Sequence, residues 1–319
     1  MDEFAFIDQY LKSTKAPPAQ APLILGIGDD AATFKIAAYR YWHMSVDTLV
    51  EGKHFFSNDN PDAVAYKSLA VNISDIAAMG ALPKWILLAL SAPALDSAWF
   101  NPYFGRFYAT LNEQGMTLVG GNIAASDERI INITIVGESD HPGLRRSAAQ
   151  IGDDIWVTGK IGLAIAALYH HWGKAVLSKE VFAQCEQART YPPPRAVFMN
   201  AIANQIHAAE DISDGLVQDL GHILEASQVA AEIHLEAIPT LDALYGYECY
   251  PKWLLNGGDD YEILFTAPEK ARTFLERMSE QEHTPICRLG CIQDGKGIKV
   301  WHKGELLHHL PKGFDHFRL

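Results

Sequence analysis

Apolar residues recur along this chain at two different periods, and the period changes from segment to segment. Residues 4–14 repeat at helical spacing, and the Pro-rich stretch from Ala16 to Pro22 ends that helix. LILGIGDDAATF reads as a short apolar strand running into a Gly-rich turn, and YWHMSVDTLV as a β-branched and aromatic strand. From Asp62 to Met79, apolar positions fall three and four apart (Val64, Leu69, Ile73, Ile76, Ala77). That spacing predicts an amphipathic helix, closed by Gly80 and Pro83. WILLALSAP reads as a buried strand, 97–114 as a helix, and MTLVGG and IINITIVGES as strands. Near residue 140 the character shifts to the polar, basic, Gly- and Pro-containing HPGLRRSAAQIGD. A domain boundary is expected there, giving 1–140 and 141–319. Beyond it, helices are predicted near 161–172, 178–189, 195–208, 215–227 and 269–281. Strands are predicted at DIWVTG and near 231–236, 261–267, 286–292 and 297–302. Helices and strands mixed in this way imply a two-domain α/β and α+β protein.

Composition narrows the class. The chain has 319 residues, enough for two cores, with 48% hydrophobic residues and 20% charged. The net charge of −13 argues against a nucleic-acid partner. It also means that an anionic substrate needs cations to hold it. No apolar run has the length of a membrane span, and MDEFAFIDQYLKSTK lacks signal-peptide order. A cytoplasmic location without membrane contact is expected. Cys185, Cys249, Cys287 and Cys291 have neither disulfide-framework nor zinc-ligand spacing.

Against this acidic background, carboxylates gather in short Gly- or Ser-containing clusters: GIGDDAA (Asp29, Asp30), SVDTLVEGKHF (Asp47), NISDIAAMG (Asp75), DISDG (Asp211, Asp214) and NGGDDYE (Asp259). Concentrated carboxylate oxygens suit hard divalent cations, which bind proteins together with phosphates. Each cluster also has a plainer reading. GIGDD makes an ordinary turn. Asp75 pairs with Lys67, two helical turns away on the same face, or sits on a solvated flank. Arg145 and Arg146 form surface salt bridges, and Asp211 or Ser213 caps the helix starting near Gly215. Ser45 and Asp47 share one face of their strand. His54, seven residues on, could approach a phosphate or an acidic ligand, or be a surface loop histidine.

The recurrence and order of these motifs carry more than any one of them. GIGDDAA (26–32), DTLVEGKHF (47–55), AYKSLAVNISDIAAMGA (65–81), LRRSAAQIGDDIWVTG (144–159), DISDGLVQDLGHI (211–223), GGDDYEILFT (257–266) and GFDHF (313–317) together span nearly the whole chain. In these segments the chain resembles the thiamine-monophosphate kinase family, of the superfamily that includes aminoimidazole ribonucleotide synthetase and selenophosphate synthetase. The resemblance implies ATP-dependent phosphorylation of thiamine monophosphate to thiamine diphosphate. The acceptor would be a phosphate oxygen already deprotonated near neutral pH, so direct transfer with no general base is expected. The resemblance also implies a homodimer formed through the N-terminal sheet. As alternatives there stand another ATP-using superfamily member and a non-catalytic nucleotide-binding homologue. Carried over by motif, Asp30, Ser45, Val46, Asp47, Asp75, Asn122, Asp211 and Asp214 are implied as Mg²⁺ positions. Gly121, Arg146 and Ser213 are implied as ATP contacts, and His54, Asp259 and Phe314 as substrate contacts. Three positions depart from the family pattern: Asn122 stands where Asp is usual, Val46 where Thr is usual and Asp259 where Glu is usual.

Overall fold

The computed structural model describes residues 22–25 and 29–308. The predicted helix at 4–14, Gly26, Gly28 and Phe314 lie outside the described residues. Two sheets organise the rest. The first has six strands: β1 (Leu23–Leu25), β2 (Ala32–Ala37), β3 (Arg40–Val50), β4 (Leu82–Ala92), β5 (Thr117–Ala125) and β6 (Ile130–Ser139), in the order β1-β2-β3-β6-β4-β5. Its pairs are antiparallel except β4–β5, whose parallel crossover runs through helix α2 (Ser97–Gln114). The second sheet has seven strands: β7 (Asp154–Thr158), β8 (Ala209–Asp211), β9 (Ala230–His234), β10 (Ile263–Ala267), β11 (Ile286–Gln293), β12 (Gly297–His302) and β13 (Glu305–Leu306). Their order is β13-β12-β9-β11-β7-β10-β8. Five helices cross this half: α3 (Leu163–His171), α4 (Lys179–Thr190), α5 (Ala196–Ile202), α6 (Leu216–Ser227) and α7 (Tyr250–Asn256). An eighth, α8 (Arg272–Gln281), precedes β11.

Helix α1 (Pro61–Ala78) joins the two halves. The Asn60 carboxamide caps it by accepting the Asp62 N–H at 3.1 Å, and Pro61 opens it with φ already set for a helix. Fifteen of its 18 residues are buried, so it is not the amphipathic helix that the spacing predicts. The cause is tertiary. One side lies on β3 and β6, another on α2, and the rest meets α5, β8 and β10 of the second half. One core cluster therefore runs from Leu69, Ile73 and Ile76 through Ile131 and Ile133 to Phe198 and Phe265. The predicted helix at 195–208 is shorter than expected, passing into a 3-10 turn at Ala203–Gln205. β2, β8 and α7 have no counterpart among the predicted elements.

Candidate functional site

Alternation along β3 decides which side chains reach α1. Ser45 and Asp47 pair with Ile135 and Ile133 of β6, both fully buried on the face that α1 covers. Asp75, in the last turn of α1, accepts the Ser45 hydroxyl at 2.5 Å. Strand β8 of the second sheet ends at Asp211, which is buried, and the following turn carries Ser213 and Asp214. Gly258 makes room for that turn. Its φ is +65°, and a Cβ there would lie 2.6 Å from the Ser213 carbonyl.

The result is a cavity of about 420 Å³ between the halves. Its wall includes Asp47, Asp75, Asp211, Asp214 and Asp259, with Ser213, Lys53 and His54. Carboxylate oxygens of Asp30, Asp75 and Asp211 lie within 4.8 Å of one another. Burial pushes the Asp75 carboxyl well up, and repulsion from Asp47, Asp211 and Asp30 adds to it, opposed by the Ser45 hydroxyl. Burial, with Asp30 next, likewise raises Asp211. Desolvated carboxylates held against one another present a strong demand for positive charge. The donors are hard oxygens, so this set fits Mg²⁺ better than a thiophilic metal.

Arg146 answers part of that demand. Its Nη2 lies 2.7 Å from Asp30 and 3.1 Å from Glu210, and its backbone N–H donates to Asp29 Oδ1 at 2.8 Å. It therefore serves the acidic cluster and is not a surface ion pair. Lys67, two turns before Asp75, pairs instead with Asp259 at 2.6 Å. His54 Nδ1 accepts the Val50 N–H at 3.0 Å, which turns the segment after β3 along the cavity wall. The helix-capping expectation for Asp211 or Ser213 is corrected. Asp219 of α6 reaches back to accept the N–H groups of Gly215 (3.0 Å) and Asp214 (3.3 Å). Asp260, beside Asp259, is also taken. It accepts the Gly162 N–H at the start of α3 and is buried.

Thus Asp30, Ser45, Asp47, Asp75, Asp211, Ser213 and Asp214 gather at one place, with Arg146 behind them and His54 and Asp259 on the same cavity. Gly121, Asn122 and the side chain of Val46 do not join them within one chain. Val46 projects its side chain to the opposite face of β3 and is 55% exposed. In the strand register, Thr48 aligns with Asn132, Ala89 and then Asn122, three strands across. Asn122 is therefore on the face opposite Asp47 and roughly 14 Å away at the usual strand spacing.

Sequence reasoning missed Glu210, Asp219, His222 and Arg189. Glu210 is 2% exposed and is raised by burial, with Arg146 opposing. Its signal was a charge inside the apolar run IHAAEDI. Arg189 is 1% exposed. It donates to both oxygens of Asp59 (2.7 and 3.0 Å) and to Glu186, and so ties the segment after β3 to α4. Only the fold brings Arg189 to Asp59, 130 residues away in sequence.

Comparison with known proteins agrees with this architecture. Residues 28–139 match the family described as AIR synthase related protein, N-terminal domain, and residues 150–303 match its C-terminal domain. A thiamine-monophosphate kinase of Buchnera aphidicola subsp. Schizaphis graminum is 36% identical, covering 99% of each chain. The crystal structure of a thiamine-monophosphate kinase from Stenotrophomonas maltophilia K279a is 35% identical. It superposes with a TM-score of 0.78 over 96% of this chain and 98% of that one. AaThiL, solved in complex with AMPPCP and TMP, is 30% identical, with a TM-score of 0.82 over 99% and 97% of the two chains.

Proposed function

The chain belongs to the AIR synthase related family and, within it, to the thiamine-monophosphate kinases, and on that footing we propose that it phosphorylates thiamine monophosphate with ATP, giving thiamine diphosphate and ADP. The observation that carries this reading is the convergence of carboxylates from both halves on one cavity, Asp30, Asp47 and Asp75 from the first and Asp211 and Asp214 from the second. Donor and acceptor are both polyanions, and a wall of carboxylates can receive them only through cations. Asp30, Asp47, Asp75, Asp211 and Asp214 would hold Mg²⁺, with Ser45 and the Val46 carbonyl beside them. Bound there, Mg²⁺ would neutralise phosphate charge as it builds up.

The chain's own groups do the rest. Arg146 meets the ATP phosphates, and Ser213 stands beside them. His54 and Asp259 hold thiamine monophosphate, with Phe314. A non-bridging oxygen of its phosphate attacks the γ-phosphorus, and the bond to the β,γ-bridging oxygen breaks, its electron pair leaving on ADP. The second pKa of a phosphate monoester is about 6, so the attacking oxygen is already deprotonated at neutral pH. No side chain has to remove a proton, and positioning carries the catalysis.

A homodimer completes this reading. β5 is a sheet edge, exposed along most of its length, with Val119 and Ile123 uncovered and Val46 and Leu87 exposed on the neighbouring strands. A second copy covering this surface would bury those side chains and give Gly121 and Asn122 a ligand site to meet. The division into an ATP- and Mg²⁺-binding dimerisation domain at 1–140 and a second domain at 141–319 is supported by the strand ranges of the two sheets. Use of ATP supports a cytoplasmic place of work. Among the described residues no helix is long and apolar enough to cross a membrane.

Stereochemistry tests the mechanism. With ATP made chiral at the γ-phosphorus, a single displacement inverts configuration in the thiamine diphosphate formed. Net retention would require a phosphoenzyme and contradict direct transfer.

A further inference from the structure

Arg146 is anchored firmly through its backbone and lightly through its side chain. Its N–H donates to Asp29, and its carbonyl accepts the Ser227 hydroxyl at 2.7 Å, at the end of α6. The guanidinium is held through one nitrogen, Nη2, shared by Asp30 and Glu210. Nε has no partner among the described residues, and the side chain remains 21% exposed.

Glu210 is the less expected of the two carboxylates. It lies in β8 between Ala209 and Asp211, both buried, and opposite Leu264 of β10. An apolar side chain of similar volume would fit between those neighbours, but it would take one partner from a buried ion pair and so cost stability. Glu210 Oε2 has no partner among the described residues, so the carboxylate is only half satisfied. What it does is done by Oε1, which takes Arg146 Nη2 at 3.1 Å and His222 Nδ1 at 2.8 Å. His222 stands 4.0 Å from Asp219, and Asp219 receives the N–H groups of Asp214 and Gly215. Glu210, Asp219 and His222 are also close enough together to hold a metal. Yet Oε1 already has a cation of its own in Arg146.

We infer that Glu210 is a positioning residue: it fixes the Arg146 guanidinium at the angle that receives the ATP phosphates. This rests on the reading of Arg146 as an ATP contact. Oε1 accepts in either protonation state of the carboxyl, so a carboxamide oxygen can replace it.

Binding of AMPPCP with Mg²⁺, binding of thiamine monophosphate, and Tm are measured on the full chain. Glu210→Leu is expected to weaken AMPPCP about tenfold, the scale of one hydrogen bond to a charged group. It should leave thiamine monophosphate affinity unchanged while lowering Tm, so affinities are read well below the variant's melting range. Glu210→Gln should restore nucleotide affinity. Glu210→Ala replaces Leu should the strand reject the branched side chain. Arg146→Ala should weaken AMPPCP at least as much, and adding Glu210→Leu to it should cost nothing further. AMPPCP affinity at the wild-type level in Glu210→Leu, or equal loss of both ligands, overturns the inference. If Arg146→Ala itself binds AMPPCP normally, the Arg146 assignment falls and takes the clamp with it. If Arg146→Ala weakens binding and Glu210→Leu does not, only the clamp falls.

Discussion

His43 shows how one buried side chain makes stability depend on pH. It is fully buried in β3, with Nδ1 3.0 Å from the Thr33 hydroxyl and Nε2 2.8 Å from Ser139 Oγ. Ser139 has one hydroxyl hydrogen and donates it to the His141 carbonyl at 2.6 Å. His43 Nε2 must then be the donor to Ser139, and Nδ1 the acceptor from Thr33, so the neutral ring is fully satisfied. Burial, with His141 nearby, holds its pKa down to about 4 from the usual 6.5. Between these values the unfolded chain binds a proton that the folded one refuses. The stabilisation from neutral His43 is therefore complete above about pH 6.5 and is lost as pH falls toward 4, on the order of 3 kcal/mol at most. Thermal melts across that window should show Tm falling in the wild type and falling less in His43→Gln. Parallel curves for the two would contradict the assignment.

At the scale of elements, the turn between β7 and α3 places a second constraint. Gly159 has φ +58°, and a Cβ there would overlap the Glu262 carboxylate and come within 2.7 Å of Arg195 Nη2. Those two residues form a buried bidentate pair at 2.6 and 2.7 Å, with the Thr158 hydroxyl adding a third bond to Glu262. Gly159→Ala must break that pair or shift the turn. It should cost about 3 kcal/mol or more, read by denaturant unfolding; a loss below about 1 kcal/mol would mean the turn relaxes freely. Most long elements were legible in sequence because their periods are strong, α2 and β11 among them. Failures have a common cause. α1 looks amphipathic but is covered on all sides, since Lys67 and Asn72 on its polar positions find partners inside: Asp259 for one and the Ser68 carbonyl for the other. β8 is three residues long and exists because β10 pairs with it. The motif carboxylates were legible as a group. Which of them touch was not, because Ser45–Asp75 and Arg146–Glu210 are contacts that only the packed strands create.

The whole molecule places its cavity between two halves and leaves an apolar sheet edge uncovered. Asn122 lies on that edge strand, across the sheet from Asp47. If a second copy closes the edge, sedimentation should give twice the chain mass of 35.3 kDa. Ile123→Glu, a charge placed on an exposed apolar position, should then release monomers and reduce activity at least tenfold, although the cavity lies within one chain. A monomeric wild type with full activity would rule this out and return Asn122 to a structural role.

The central claim is that the carboxylates gathered on the cavity carry the phosphoryl transfer. It is tested by comparing thiamine diphosphate formation from Mg-ATP and thiamine monophosphate by the purified chain and by Asp75→Asn. The substitution keeps the shape and an acceptor for Ser45 but removes one charge. The wild type should form thiamine diphosphate and ADP in equal amounts. Asp75→Asn should be at least a hundredfold slower, about 2.7 kcal/mol of lost transition-state stabilisation, with Tm undiminished because a repelling charge has gone. No thiamine diphosphate from a wild-type chain that still binds ATP, or Asp75→Asn working at the wild-type rate, would contradict it.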